Sequence, residues 1–278
     1  MKVNALLKKI LFRKERKILE PVYIPVLSGT LLSGRRALIT GGGKGIGYAI
    51  AKAFLEQGSE VCITGRDEKV LQEAVSGLSA TGSRITYRVL DVTDTTSFDR
   101  TIQELIASWG MIDVLVNNAG VNDYAICPDV DVSAYDRVMD TNLRGAFFLS
   151  QVFVRKCVKR GKKTNILNVC SSSSLRPGVC PYVLSKWGLR AMTVGFAKRF
   201  ANVDCVVNGL APGLTAVDRI RKESDGLNWE RSPVGRMATA IEIANMAVVL
   251  VSDISRMVVG DVVYMTGGMG VVTVDDNC

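Results

Sequence analysis

Short apolar runs alternate with longer amphipathic segments along most of this chain. The runs at 36–40 (RALIT) and 60–65 (EVCITG) are nearly continuous in Val, Ile, Leu and Cys. Helical periodicity follows them at 48–57 and at 68–78, where Asp67 is placed to cap the second helix. Strands that are apolar on both sides and alternate with helices are typical of a parallel sheet covered on both faces. We therefore predict an α/β fold with a doubly wound parallel sheet.

The same alternation continues to the end of the chain and sets the predicted size of the sheet. Five further strands are predicted at 84–92, 112–120, 164–171, 204–213 and 261–268, which makes about seven strands. One domain over residues 34–278 accommodates them, preceded by a separate segment over residues 1–33.

Charge and cysteine usage narrow the setting in which this domain is expected to work. The seven cysteines are scattered without a CxxC pair, which favours reduced thiols in a cytoplasm. We find no apolar run of transmembrane length, and basic residues interrupt the apolar N-terminal stretch, so neither a membrane span nor a signal peptide is expected. We expect a cytoplasmic protein.

Basic charge is concentrated at the N-terminus. Residues 1–20 contain seven basic and two acidic residues, and they account for most of the net charge of +8 of the whole chain. Because the rest of the chain carries little net charge, we do not expect it to bind nucleic acid. Apolar positions inside this basic segment predict an amphipathic helix. Three roles stay open for it: packing on its own domain or on another copy, which we rank first, peripheral contact with a membrane, and contact with an acidic partner.

The chain contains no histidine, which removes whole classes of chemistry. A Ser-His-Asp hydrolase, an H-E-x-x-H metalloprotease and a histidine-ligated metal centre are excluded, and we predict no metal site. Proton transfer near neutral pH must then rely on Tyr, Lys, Asp, Glu or Cys with a shifted pKa.

A glycine-rich loop, TGGGKGIG at 40–47, joins the first predicted strand to the first helix. Glycines at such a junction allow a sharp turn and let the backbone approach a pyrophosphate at the helix N-terminus. A plain connection would also use glycine, but the position after the first strand of an alternating β/α chain favours a dinucleotide site.

Three motifs together resemble the short-chain dehydrogenase/reductase family. They are the spacing TGxxxGxG in the loop at 40–47, NNAG at 117–120, and YxxxK at 182–186, a group that includes 3-oxoacyl carrier-protein reductases. The segments at 140–148 and 208–213 fall where that family has similar ones, and the resemblance covers about residues 34–270. It implies a Rossmann-type fold, a nicotinamide cofactor, a small-molecule substrate and self-association as a dimer or tetramer.

Charge at the adenosine end distinguishes the two nicotinamide cofactors. An acidic residue at the end of the second strand binds the ribose 2′-hydroxyl and repels a 2′-phosphate. Here Gly65 holds that position, Arg66 follows it, and Lys44 adds a second cation in the glycine loop. Asp67 is the counter-argument, but it is better explained as a helix cap. We therefore favour NADP(H) over NAD(H).

The resemblance assigns a set of cofactor-binding positions. They are Gly41, Gly43, Lys44, Gly45, Ile46, Gly47, Arg66, Asp91, Val92, Asn118, Ala119, Gly120, Tyr182, Lys186, Pro212, Gly213 and Thr215. Thr215 is a substitute, since the family's threonine after the Pro-Gly pair falls on Val217.

Tyr182 and Lys186 are one helical turn apart and therefore lie on one face of a helix. A nearby ammonium group lowers the pKa of a phenol, which is about 10 in free tyrosine. The resemblance implies that Tyr182 exchanges a proton with the substrate oxygen and that Lys186 lowers its pKa and binds the nicotinamide ribose. It also implies that Asn142 shapes a water relay to the lysine.

The resemblance further implies a serine that stabilises the substrate oxygen, and four consecutive serines compete for this role. Ser171 stands at the end of its strand and is our first choice, with Ser172 and Ser173 as alternatives. The family's serine lies about a dozen residues before the tyrosine, whereas Ser171 precedes Tyr182 by 11, so the loop between them is about two residues shorter than usual.

The predicted function is NADP(H)-dependent interconversion of a carbonyl and a secondary alcohol. A 3-oxoacyl carrier-protein reductase is the alternative within the family, and a catalytically inactive NADP-binding or scaffold protein is the alternative outside it. The segment at 214–236 is expected to cover the substrate, and its many charges leave open either a polar or anionic substrate or a solvated lid. Its basic residues include Arg219, Arg221, Lys222, Arg231 and Arg236.

Overall fold

A computed structural model describes residues 30–79, 84–123, 125–158, 162–217 and 227–270. In these ranges, strands β1 to β9 cover Arg36–Thr40, Glu60–Gly65, Ile85–Val89, Val114–Asn117, Thr164–Val169, Cys205–Pro212, Thr215–Ala216, Ala238–Thr239 and Val262–Met265. Helices α1 to α7 cover Gly45–Glu56, Glu68–Ser79, Phe98–Trp109, Val132–Met139, Gly145–Cys157, Pro181–Phe200 and Ala240–Val251.

Seven of the strands form one parallel sheet in the order β3-β2-β1-β4-β5-β6-β9. The order reverses beside β1, which pairs with β2 on one side and with β4 on the other. The carboxyl ends of parallel strands open a crevice at such a reversal. The loops that follow β1 and β4 therefore meet there. The two short strands β7 and β8 pair separately.

The sheet is apolar on both faces, as the continuous apolar runs predicted. Ile39 of β1 packs with α1 and α7 on one face, while its neighbour Leu38 packs with α3 and α5 on the other. Successive side chains of a strand point to opposite faces, so each strand contributes to two hydrophobic clusters. The seven-stranded α/β fold is confirmed.

Two local predictions can be compared with the structure. The carboxylate of Asp67 accepts the amide hydrogen of Val70 at 3.2 Å, which caps α2 as predicted. Helix α1 begins at Gly45, three residues earlier than its periodicity predicted, because the end of the glycine loop already forms its first turn. Leu32 is fully buried in the core, so packed structure begins before residue 34, and residues 1–29 lie outside the described residues.

An apolar surface extends over two neighbouring helices. Phe147 and Phe148 of α5 and Leu184 and Val194 of α6 are all more than a third exposed, and we call these four residues the α5–α6 face. Phe147 contacts the partly buried Phe196 edge-to-face, with 5.3 Å between ring centroids. In the part of the chain that the structure describes, no helix is long and apolar enough to cross a membrane.

An ion pair anchors the start of α7. Thr239 and Glu242 form a capping box, and Arg236 donates to both oxygens of Glu242 at 2.9 and 2.6 Å. The hydrogen bonds from Arg236 are the largest cause that lowers the pKa of Glu242, to about 2.

We predict that Glu242→Gln lowers the free energy of unfolding at pH 7 by about 1 kcal/mol, because glutamine keeps a cap but loses the charge-assisted pair. The folded-state pKa of Glu242 is depressed, so the wild-type advantage is complete above about pH 4.5 and is lost as the pH falls towards 2. Urea denaturation at pH 7, 4 and 3 measures this difference. Glu56→Gln, in an exposed pair with Lys52, is the control. A difference that does not change with pH would contradict the assignment.

Candidate active site

The glycine loop requires glycine at two positions for different reasons. Gly45 has φ +59°, in the left-handed region. At Gly47, a Cβ atom would lie 2.3 Å from the carbonyl oxygen of Gly41, so any side chain would separate α1 from the loop. The loop therefore lets the N-terminus of α1 come up against the carboxyl end of β1.

The N-terminus of α1 offers donors to an anion. Its N-cap residue is Lys44, and the Lys44 side chain makes no capping hydrogen bond. The first amide groups of a helix have no partner within the helix, and the helix dipole is positive at that end. This arrangement fits the pyrophosphate of a dinucleotide.

The turn after β4 is attached to the glycine loop by four hydrogen bonds. The hydroxyl of Thr40 accepts the amide hydrogens of Asn118 and Ala119, both at 3.0 Å. In return, the side-chain amide of Asn118 donates to the carbonyls of Thr40 and Gly41 at 2.9 and 3.0 Å. The two loops at the strand-order reversal thus form one unit.

One cleft, of about 220 Å³, opens beside this unit towards β2 and α2. Eight of the predicted cofactor residues line it: Gly41, Gly43, Lys44, Arg66, Asp91, Val92, Ala119 and Gly120. Among the described residues, neither Lys44 nor Arg66 has an ion-pair partner. Asp67 also lines the cleft, but its carboxylate is engaged in the cap of α2.

A second cleft, of about 420 Å³, continues from Gly120 towards β5 and α6. Nine predicted residues line it: Ile46, Asn118, Gly120, Ser171, Tyr182, Lys186, Pro212, Gly213 and Thr215. The described walls of both clefts do not include three of the predicted site residues, which are Gly45, Gly47 and Asn142. These three residues position neighbouring residues that do line the clefts.

The four serines divide into different roles. The hydroxyl of Ser171 lies close enough to Tyr182 to lower the pKa of that phenol, and it accepts the amide hydrogen of Ser173 at 3.1 Å. Ser174 donates to the carbonyl of Ser171 at 2.7 Å. Ser172 and Ser173 also line the cleft, but Ser171 is the one of the four serines that lowers the pKa of Tyr182. Residues 172–175 form a 3₁₀ turn, which takes up the short loop.

Helix α6 fixes the loop of residues 171–176, which we call the serine loop, by two hydrogen bonds. Arg190 donates to the carbonyl of Ser174 at 3.0 Å, and the indole of Trp187 donates to the carbonyl of Arg176 at 2.9 Å. The guanidinium of Arg190 also lies over the rings of Trp187 and Tyr264, at 5.3 and 5.9 Å from their centroids. Sequence reasoning missed these supports, because helical spacing does not report which loop a side chain reaches.

The pKa of Tyr182 differs from the prediction. Burial raises it above the ordinary value of 10.0, and the hydrogen bond with Ser171 lowers it. Lys186, which was expected to lower this pKa, donates to the carbonyl of Val169 at 2.9 Å and lies 5.7 Å from the centroid of the Tyr182 ring. Burial has the opposite effect on Lys186, whose pKa it lowers, because it disfavours the charged ammonium. The expected net lowering by Lys186 is therefore not found, because desolvation of the phenol dominates.

Asn142 lies in a π-helical turn between α4 and α5. Its side-chain oxygen accepts the backbone amide hydrogen of Val121 at 2.8 Å. Its side-chain nitrogen donates to the backbone carbonyl of Val121 at 2.9 Å and to the hydroxyl of Ser185 at 3.1 Å. These bonds fix the segment after Gly120 against α6. The predicted water relay stays a prediction.

The loop after β6 borders the second cleft from the opposite side. Thr215 is buried, and its hydroxyl donates to the carbonyl of Gly213 at 3.1 Å. Val217, at the position of the family's threonine, places a methyl carbon 3.6 Å from where a Cβ of Gly45 would be. Both residues line the cleft.

Of the basic residues named for the segment at 214–236, the structure describes two, and neither lines the second cleft. Arg236 is bound to Glu242, and Arg231 lies over the ring of Trp229 at 6.0 Å from its centroid. Arg219, Arg221 and Lys222 lie outside the described residues. The arginine that lines the second cleft is Arg176, together with Trp229. Arg176 comes two residues after the last of the four serines, in the sequence SSLRPG, and that proximity was the available signal.

Comparisons with known proteins agree with this architecture. A family model described as enoyl-(acyl carrier protein) reductase matches residues 41–270. Gluconate 5-dehydrogenase of Gluconobacter oxydans is 35% identical over 247 residues, which cover 86% of this chain and 96% of the relative. The 3-oxoacyl-[acyl-carrier-protein] reductase of Chlamydia muridarum is 33% identical over 246 residues, covering 86% and 99%.

A solved structure extends this likeness to three dimensions. The crystal structure of a gluconate 5-dehydrogenase from Burkholderia cenocepacia in complex with NADP and tartrate superposes with a TM-score of 0.80 at 32% identity. The match covers 87% of this chain and 97% of that one.

Proposed function

The chain belongs to the short-chain dehydrogenase/reductase family of oxidoreductases, and we propose that it interconverts a carbonyl and a secondary alcohol with NADP(H). The observation that carries this proposal is that Ser171, Tyr182 and Lys186 line one cleft. The cleft continues into a second one beside the glycine loop, so a dinucleotide and a small substrate can share one site.

The cofactor fits the residues present. The uncapped N-terminus of α1 suits a pyrophosphate, and the cleft that contains Lys44 and Arg66 suits a phosphorylated adenosine. Bound NADPH supplies a hydride to the carbonyl carbon of the substrate. Lys186 is assigned to the nicotinamide ribose by the resemblance.

Tyr182 and Ser171 supply the proton and the hydrogen bond for this reaction. In reduction, the phenol of Tyr182 transfers its proton to the carbonyl oxygen, and the hydroxyl of Ser171 donates to that oxygen as negative charge develops. The ordinary pKa of a phenol is already well above 7 and burial raises that of Tyr182, so the phenol is protonated at neutral pH and can act as the acid. Oxidation needs the phenolate, so it should accelerate as the pH rises.

The preference for NADP(H) is supported by the two cations of the first cleft. A 2′-phosphate is a dianion, and Lys44 and Arg66 have no described ion pairs that would compete for it. The related Burkholderia structure contains NADP, which supports the same choice.

Two substrate classes are suggested by the relatives. Gluconate 5-dehydrogenases support a polar hydroxy acid. The carrier-protein reductases support the alternative, a 3-oxoacyl thioester. We favour the hydroxy acid, because the wall of the second cleft contains cationic and hydroxyl side chains.

We also propose that the chain associates with itself through the α5–α6 face. An exposed apolar surface that spans two helices is typical of a protein–protein contact. A two-fold contact through this face would use the same surface on both copies and bury Val194.

The catalytic roles predict how three variants differ. Tyr182→Phe should reduce turnover at least about 100-fold while NADPH still binds, because only the proton donor is lost. Ser171→Ala should reduce it about 100-fold and move the alkaline limb of the reduction profile to higher pH, because the hydrogen bond that lowers the pKa of Tyr182 is removed. Steady-state rates on a ketone panel between about pH 7 and 12 measure both effects. Ser172→Ala is the matched control, and an equal loss in that variant would contradict the assignment of Ser171.

The cofactor preference predicts a selective loss of affinity. Lys44→Ala and Arg66→Ala should each weaken NADPH binding about 10-fold and leave NADH binding nearly unchanged, because each removes a partner of the 2′-phosphate. Fluorescence titration with both cofactors measures this, with Lys52→Ala as control. A parallel loss for NADH and NADPH would count against a 2′-phosphate site.

Self-association predicts a change in mass. Val194→Glu should shift the protein towards monomers in light scattering, because a charge on the apolar face is buried by association. Val89→Glu, on the edge strand β3, should leave the mass unchanged. If Val194→Glu has the wild-type mass, the α5–α6 face is not the contact.

A further inference from the structure

The charged side chains that line the second cleft in the described residues are all positive. In the described part of its wall, the charged side chains are Arg176 and Lys186, and there is no carboxylate. Lys186 is buried and engaged with the carbonyl of Val169. Arg176 is exposed, and within the described ranges its guanidinium makes no hydrogen bond or ion pair. A cation is thus available to a ligand at the outer part of the cleft.

The backbone that carries Arg176 is firmly held. Its carbonyl accepts from the indole of Trp187, and two residues earlier the carbonyl of Ser174 accepts from Arg190. The Nε atom of Arg176 lies 3.9 Å from where a Cβ of Gly270 would be, so the side chain runs towards the loop after β9. A side chain on an anchored backbone loses less freedom when it binds a ligand.

Trp229 lines the same cleft and has a second unsatisfied donor. Its indole nitrogen is buried and has no hydrogen-bond partner among the described residues, while its backbone amide is fixed to the carbonyl of Gly235 at 3.0 Å. A buried polar group without a partner is rare in folded proteins, and an indole nitrogen can only donate. The nitrogen has almost no accessible surface in this structure, so it donates to a ligand oxygen once the indole turns towards the cleft.

We propose that Arg176 and Trp229 together recognise the carboxylate end of a hydroxy or oxo acid whose reacting carbon lies at Tyr182. The proposal rests on the oxidoreductase function proposed above and specifies its substrate class. A guanidinium pairs with a carboxylate through two parallel hydrogen bonds, and the indole supplies one more donor to an oxygen of the same ligand. The absence of a carboxylate from the described wall removes a competitor for Arg176.

A matched series of acids and esters tests this assignment. The probes are 3-oxobutanoate, 4-oxopentanoate and 5-oxohexanoate, each with its methyl ester, which keeps the ketone but removes the charge. With NADPH, the wild-type protein should favour one acid over its ester at least about 10-fold in kcat/KM, in line with one charge-assisted contact. The best chain length reports the distance from Tyr182 to Arg176.

Variants separate the two donors. Arg176→Gln should reduce the acid-to-ester ratio to about 1, and Arg176→Lys should restore part of it, because a point charge replaces the fork. Trp229→Phe keeps a ring but loses the donor, and it should raise the KM for the acid about fivefold. Arg100→Gln, an exposed arginine on α3, should keep the wild-type ratio.

A binding measurement keeps the proposal testable without turnover. Calorimetry of 4-oxopentanoate with the NADP⁺-loaded protein should detect binding that Arg176→Gln abolishes. If no ketone or ester is reduced but this binding is present and depends on Arg176, the proposed reaction fails and the carboxylate site stands. If esters are reduced as fast as acids, the carboxylate site fails and the reaction stands. Faster reduction of a 3-oxoacyl thioester than of any acid, unaffected by Arg176→Gln, would also overturn the site.

Discussion

The functional architecture depends on the hydrogen bonds that join the loop after β1 to the turn after β4. Thr40 and Asn118 make these bonds, and they can meet because β1 and β4 are adjacent where the strand order reverses. The glycine loop, the N-terminus of α1 and the NNAG turn are thereby held as one surface. Gly120, at the end of that turn, lines both clefts, so the same hydrogen bonds determine how the two clefts connect.

Helix α6 carries the chemistry and also supports the loop that completes it. One side presents Tyr182 and Lys186 to the cleft, and another side holds the serine loop through Trp187 and Arg190. Burial of the phenol raises its pKa, so the packing keeps the phenol protonated at neutral pH. The ammonium of Lys186 is directed to a backbone carbonyl, which leaves Ser171 as the group that opposes the effect of burial.

Residues close in sequence were predicted well, and residues that meet only through the fold were not. The glycine loop, the cap by Asp67 and the pairing of Ser171 with Tyr182 followed from spacing along single elements or between consecutive ones. The pKa of Tyr182 did not follow, since it depends on how much of the molecule surrounds the phenol. Arg236 is an exception among local contacts: it is bound to Glu242 only six residues further on, a pairing that the charge pattern of the segment at 214–236 did not predict.

The sequence by itself determined the α/β class, the strands and the motif residues of both clefts, because apolar periodicity and glycine spacing are local properties of a chain. Tertiary structure alone decided which cation lines the substrate cleft, which donors there lack partners, and which groups set the Tyr182 pKa. Those outcomes depend on desolvation and on contacts between segments far apart in sequence. Arg176 and Trp229 are separated by more than 50 residues, and only the folded sheet brings them to one cleft.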